Sequence, residues 1–393
     1  MNYISTLDLF HISKSKGEFQ EALEKKKASE LYQEFDFSIH GHKAFYCPDY
    51  QIFNLIIDLN KKIEQLNSLF SLLPHLAKKQ YIRNSLVIDI KSTNDIEGVH
   101  PTKKDIAMLI EDAKANSSNR RIVSIVNKYV SLLDPNQKIS LNSTKDISSI
   151  YHVLLKEAID KTDQPDGLLF RKGEVNITDG IKIDHSGITP ESEIDRILSI
   201  GLNILKSEQI DSLAKNALFH FIFEYVHPFY DGNGRTGRFI STYLFKKDFA
   251  SPFAFRLSST INKAKSKYYK AFEKAEDPNN YADLSTYVYE YLSILRPALS
   301  KETESLQKMK ETMESLIKKE EESSYFSSSE KKIMIALIKG SIFSDFGINI
   351  SQIAEETKCS RSTIMRLLSY LKKDSRIQKT DFKPYLYKLT LNN

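Results

Sequence analysis

The chain has 393 residues, 41% of them hydrophobic, and 56 Lys or Arg against 51 Asp or Glu leave a net charge of +5. That length supports two or three domains with cores of their own, the composition excludes a disordered chain, and the charge total does not call for nucleic acid or an anionic membrane. Cys47 and Cys359 are too few and too far apart in sequence for a disulfide framework or a zinc site, which fits a reducing compartment. Apolar runs such as Leu69 to Leu73 stop far short of a membrane span, and the start MNYISTLDLF lacks a basic stretch followed by an apolar one. A soluble, cytoplasmic protein with no membrane partner is expected.

Residues 1–45 mix Lys, Glu and aromatic side chains without a period, and predict nothing beyond a lead-in. From Asp49 to about Ala115 apolar residues recur at helical spacing (Ile56, Ile63, Leu66, Phe70, then Ile82, Leu86, Ile90), broken at Pro74, so two or more packed helices are expected. The second ends at Ile96-Glu97-Gly98-Val99-His100-Pro101, where Gly98 and the following proline form a helix stop and place Glu97 in the last turn. Residues 145–160 and 191–206 read as helices. Between them, Val175, Ile177, Ile181 and Ile183 alternate around Asp179-Gly180, a hairpin signal.

Ala214, Leu218, Phe221, Ile222 and Tyr225 form one helical stripe that ends at Pro228, leaving His227 at the helix exit. The helical pattern resumes from Arg235 to Phe245 and continues through about Leu295, just before Pro297. Residues 301–324 are charge-rich with sparse apolar positions, as in an exposed connecting helix, and a boundary falls near Ser324. The last segment holds two short amphipathic helices around Lys358-Cys359-Ser360 and a strand-like stretch, RIQKTDFKPYLYKLTL. It resembles a winged helix-turn-helix.

The densest chemistry lies in HPFYDGNGRTGR, residues 227–238. Gly232, Gly234 and Gly237 spell a dinucleotide fingerprint, but a helix precedes them where a strand is required and no acid follows at the ribose position. A P-loop is excluded because Arg238-Phe239 stands where Lys and Ser or Thr are needed. A calcium loop is excluded because Thr236 and Thr242 occupy the glycine and glutamate positions. An anion-binding loop at a helix N-terminus survives: glycines bring backbone N–H groups close to oxygens, and the helix dipole favours negative charge. Arg235 and Arg238, three apart, can reach one polyphosphate, Asp231 is the acid available for a magnesium bridge, and His227 is left as a general base.

This cluster resembles the Fic family signature H-P-F-x-D/E-G-N-G-R-x-G-R and matches it at every specified position. Thr93-Asn94-Asp95-Ile96-Glu97-Gly98 is similar to the family's inhibitory motif [S/T]-x-x-x-E-[G/N], and the hairpin at 174–184 lies where the family carries its target-binding flap. The resemblance covers roughly residues 46–300. It implies a mainly α fold: a Fic-type helical core with a small β-hairpin flap, followed here by the winged-helix domain. The chain then divides into residues 1–45, an N-terminal helical region with the inhibitory helix (46–115), the catalytic core (116–300), a charged linker helix (301–324) and the winged-helix domain (325–393).

The activity implied is transfer of AMP from ATP to a Tyr, Thr or Ser hydroxyl of a target protein, with release of pyrophosphate. By the resemblance His227 deprotonates the hydroxyl, Asp231 holds Mg2+, Gly232, Asn233, Gly234 and Gly237 with Arg235 and Arg238 bind the phosphates, and Tyr268 and Tyr269 lie near the adenine. Thr93, Glu97 and Gly98 inhibit, and Val175, Ile177, Ile181 and Ile183 dock the target. Two rivals stay open: a DNA-binding regulator whose Fic-like core senses nucleotide, and removal of AMP with Glu97 orienting water. Residues 326–393 hold 12 Lys or Arg against 6 Asp or Glu, and Arg361, Ser362, Thr363 and Arg366 begin the presumed recognition helix, so DNA is one partner to consider and a second copy of the chain another.

Overall fold

The N-terminal stretch that showed no period is ordered. Ser5 and Ser15 cap two short helices, α1 (Thr6–Ile12) and α2 (Lys16–Lys27). The antiparallel pair β1 (Gln33–Ile39) and β2 (His42–Tyr46) follows, turning at His40-Gly41, both at positive φ. Phe19, Leu23, Phe45 and Cys47 close a small cluster of their own. Thr6 and Lys26 both reach the buried carboxylate of Asp283. The elements were invisible in sequence because partners some 250 residues away, not a local apolar stripe, hold them. The structure, a computed structural model, describes residues 3–112, 120–134, 136–137, 139–178 and 183–390.

The helical body comprises α3 (Tyr50–Ser71), α4 (His75–Ile96), α5 (Lys103–Glu111), α6 (Val123–Ser131), α7 (Thr144–Leu154), α8 (Glu191–Lys206), α9 (Ser212–Val226), α10 (Asn233–Phe249), α11 (Leu257–Lys263) and α12 (Lys265–Glu276), with the hairpin β3 (Asn176–Thr178) and β4 (Ile183–Ser186) between α7 and α8. Helix α9 is buried on nearly every side, against α8, α10 and the next long helix, so its two ends are held in place by the core. That helix, α13 (Leu284–Glu322), runs across the expected division at residue 300. It runs unbroken for 39 residues through Pro297, and the charged stretch 301–322 is its second half. Burial of Leu292, Leu295, Leu299, Leu306 and Met313 outweighs the one backbone hydrogen bond that the proline removes.

The C-terminal part holds α14 (Ser328–Phe343), β5 (Ile348–Asn349), α15 (Ile350–Thr357), α16 (Arg361–Lys373), β6 (Ile377–Lys379) and β7 (Leu386–Leu389), the strands forming an antiparallel sheet in the order β5-β7-β6. Lys358 in the left-handed region ends α15 and the Ser360 hydroxyl caps α16, producing the sharp turn between them. This part is docked on the body: α14 packs along α4 and α13, and Lys103 pairs with Asp345 at 2.7 Å. Among the described residues no helix is long and apolar enough to cross a membrane.

Candidate active site

Helix α9 stops at His227, whose left-handed backbone (φ 53°, ψ 62°) turns the chain out of the helix. Phe229 then anchors the loop: it is fully buried and stacks on Tyr151 with ring centres 3.6 Å apart. The Asn233 side chain clasps the loop from the other end, accepting from the Phe229 N–H at 2.9 Å and donating to its carbonyl at 2.7 Å. Gly232, at φ 84°, is the N-cap of α10, and a Cβ there would meet Leu155 at 2.2 Å. Only glycine satisfies both the left-handed backbone and that close approach. The chain therefore leaves one helix and enters the next within six residues, bringing the imidazole beside the N-terminus of α10.

The arginines are already engaged. Arg235 is nearly buried and donates to Asp231 at 3.0 and 3.1 Å, while its Nε is buried with no hydrogen-bond partner among the described residues. Arg238, 2% exposed, donates from Nε to the Thr93 hydroxyl at 2.9 Å and from Nη2 to the Thr93 carbonyl at 3.1 Å and Glu97 Oε1 at 2.6 Å. Thr93 and Glu97 are thus brought to the loop from the end of α4, which Gly98 terminates at φ 73°. Burial alone would push the Glu97 carboxyl up, but Arg238, with Arg235 and His227 behind it, leaves it below its ordinary value. The carboxylate oxygen lies 2.3 Å from where a Cβ of Gly234 would stand, so Gly234 is the notch in which the ion pair sits.

Several assignments shift on inspection. Asn233 spends its side chain on the Phe229 backbone of the loop. Gly237 faces inward: a Cβ there would lie 2.3 Å from the buried Glu224 carboxyl, so the close approach of that side chain requires glycine. Tyr268 is buried and its hydroxyl meets His220 Nε2 at 2.8 Å, so it belongs to the core. Tyr269 is 44% exposed, with Lys265 over its ring. In the hairpin, Ile177 pairs with His185 and Thr178 with Ile183, whereas Ile181 lies outside the described residues. At its root Val175 accepts from the Gly187 N–H at 3.0 Å.

Sequence reading missed Arg171. It is fully buried, donates to the carbonyls of His227 (2.8 Å), Ile188 (2.9 Å), Val226 (3.3 Å) and Gly173, and so ties both legs of the hairpin to the end of α9. Burial lowers its pKa from the ordinary value. Nothing in LLFRKG distinguishes this arginine from its Lys neighbour. Glu224 was missed too, although a lone acid within the apolar run FHFIFEYV was a usable signal.

Comparisons with known proteins bear on the family and the fold. Residues 142–245 match the model of the Fic/DOC family. A stretch of 89 residues is 33% identical to a chain of Aquifex aeolicus named "Probable protein adenylyltransferase"; it covers 22% of this chain and spans only about a quarter (26%) of that relative's length. A Fic family protein from Desulfovibrio desulfuricans G20 superposes with a TM-score of 0.54 at 20% identity, covering 88% of this chain and 98% of that one. A fragment of Fic-1 from C. elegans is also similar in structure (19% identity, TM-score 0.47, 65% of this chain and 75% of that one). The chain carries a Fic-type domain, and its mainly helical fold is that of a Fic family protein along most of its length.

Proposed function

We propose that the protein is an autoinhibited protein adenylyltransferase, transferring AMP from ATP to a hydroxyl side chain of a target protein. The observation that carries this reading is the arrangement of loop 227–238, where an imidazole at a helix exit borders glycines, a helix N-terminus and two buried guanidinium groups. The His227 Nδ1 lies 3.3 Å from the Glu224 carbonyl. A proton donated there leaves the lone pair on Nε2, the tautomer that a base needs. A helix C-terminus ordinarily favours a cation; Arg171 supplies that cation on the Val226 and His227 carbonyls, so the imidazole need not.

The N–H groups opening α10 and the dipole behind them face the place where phosphoryl charge develops, and Arg235 Nε is a buried donor awaiting an acceptor. Among the described residues no three acidic, His or Cys groups gather as a metal cage. Magnesium shared between one carboxylate and substrate phosphates needs no cage, and the half-exposed Asp231 at the loop fits that donor set. The ion would neutralise phosphate charge there. Arg235 would then exchange its Asp231 contact for phosphate oxygens.

Inhibition follows from the contact of Arg238 with Glu97 and Thr93, which occupies the guanidinium that the terminal phosphate would use. The hairpin, laced to the catalytic loop through Arg171, would hold an extended target segment by strand addition. The C-terminal module, with its tight α15–α16 turn and three-stranded sheet, supports a winged helix-turn-helix reading. The exposed side chains of Arg361, Ser362, Arg366 and Lys373 on α16 favour a phosphate backbone as its partner.

The test of the proposal is transfer of label from α-labelled ATP to protein. His227→Ala should lower transfer by roughly 10²- to 10⁴-fold, the worth of a positioned base, with ATP binding retained. Transfer at the parent rate would remove His227 from the mechanism, and ATP binding with no labelled adduct in the parent or an activated variant would favour a nucleotide sensor.

A further inference from the structure

Two carboxyl groups from different helices fill matching notches in α10. Gly234 and Gly237 stand three apart on its inward face. Glu97 Oε1 lies 2.3 Å from the Cβ position of the first, and Glu224 Oε1 lies 2.3 Å from that of the second. Cβ positions three apart on a helix are about 5–6 Å from each other, so the two carboxyls are neighbours along one groove. The guanidinium of Arg238, with Nη1 2.8 Å from the Gly234 Cβ position, lies in the same groove. Glu97 holds Arg238 by an ion pair, whereas Glu224 Oε1 is buried without a hydrogen-bond partner among the described residues.

The charge balance of such a site admits one anion. Two ionised carboxylates beside one guanidinium would leave one buried negative charge unpaired, which burial strongly disfavours. Burial accordingly pushes the Glu224 carboxyl up to about 8; Arg238 opposes that shift and Glu97 adds to it. Removing Glu97 reverses the problem, because Arg238 would then be a buried cation with no anion on it.

We propose that Glu224 is a reserve counter-ion for Arg238, giving up its proton to solvent when Glu97 withdraws from the guanidinium and regaining one when another anion takes that place. In the inhibited state Glu97 is the carboxylate and Glu224 the acid. In the opened, empty site Glu224 is the carboxylate. When a phosphate arrives at Arg238, Glu224 is again the acid. The last step rests on the proposed nucleotide reading; the exchange with Glu97 does not.

The groups facing this pair are Arg238 from α10, Arg235 one turn earlier on α10 and itself held by Asp231, Glu97 from the end of α4, Tyr268 and Tyr269 from α12, Tyr287 and Tyr291 from α13, His220 on α9 and His227 at its C-cap. Burial raises all four tyrosines above their ordinary value, so they keep their protons at neutral pH. Burial, helped by Arg238, holds His220 down at about 3, so it stays neutral. His227 lies one turn on, with its Nδ1 toward the Glu224 backbone carbonyl.

Infrared spectroscopy of the full chain reads the exchange directly. In the parent protein at pH 7, a protonated-carboxyl band should be present that Glu224→Gln removes, and it should disappear as pH rises through about 8. In Glu97→Gln, which keeps the shape and removes the charge, the same band should titrate below neutrality and be absent at pH 7. A Glu224 band with the same midpoint in both backgrounds, or no such band in the parent, overturns the proposal. The pH difference spectrum of the parent supplies the first of these readings even if Glu224→Gln folds poorly.

Calorimetry of Mg-ATP binding to Glu97→Gly, repeated in buffers of different ionisation enthalpy, should show uptake of about one proton, lost when Glu224→Gln is added. Binding without proton uptake contradicts the exchange. Failure of ATP to bind at all counts against the nucleotide reading alone, and the infrared titration then decides the counter-ion role.

Discussion

Glu97→Gly removes the carboxylate that occupies Arg238 and should raise AMP transfer. Of the three hydrogen bonds on this guanidinium, the substitution takes away the one to a charged acceptor, at 2.6 Å, and leaves the two to Thr93. A hydrogen bond to a charged group contributes about 1.5–3 kcal/mol. At about 1.4 kcal/mol per tenfold, the inhibited arrangement would lose roughly 10- to 150-fold in population. Arg238 is 2% exposed, which argues for the upper part of that range, while the 25% exposure of the Glu97 side chain keeps it below the 3–5 kcal/mol of a fully buried pair. The assay is single-turnover transfer of label from α-labelled ATP to protein, in the parent, Glu97→Gly, and Glu97→Gly with Arg238→Ala. The double variant should lose much of the gain, because in the proposed mechanism the freed arginine binds the terminal phosphate. Unchanged transfer in Glu97→Gly would refute the inhibitory role, and a fall would favour removal of AMP with Glu97 as a catalytic group.

Arg171→Lys keeps the positive charge but cannot serve four carbonyls, so AMP transfer should fall at least tenfold while Mg-ATP affinity, measured by calorimetry, changes little; equal loss of both would reduce Arg171 to a folding role. Ile183→Pro removes the N–H of a residue paired with Thr178 and should abolish modification of the target with ATP binding intact, which a filter-binding assay beside the transfer assay checks. Burial pushes the Asp89 carboxyl up to about 6, against about 4 in the unfolded chain. Its stabilising, protonated state is therefore fully present below pH 4 and lost as pH rises through 6. Asp89→Asn should accordingly add up to roughly 3 kcal/mol to stability at pH 7 and almost nothing at pH 4, read from denaturant unfolding at the two pH values.

What the sequence by itself determined is what local chemistry determines. Helix stops at Gly98 and His227, the glycines that permit a tight loop, and the arginines spaced three apart all act within a few residues, so the tight turn in HPFYDGNGRTGR and the crowding of its charged groups were legible in the chain alone. The stripe of Ala214, Leu218 and Phe221 likewise announced a buried helix, since period 3.6 is a property of the chain itself. The tertiary structure decided which side chains those local features would meet. Arg238 finds Glu97 and Thr93 some 140 residues away, Arg171 reaches the carbonyls of His227 and Val226, and Glu224 enters the notch left by Gly237. None of these partners has a period or a spacing, because the packing of α4, α9 and α10 creates them. The same reason explains the ends of the chain: Asp283 orders residues that look featureless, and a buried stripe carries α13 through Pro297, where the local rule predicts a stop.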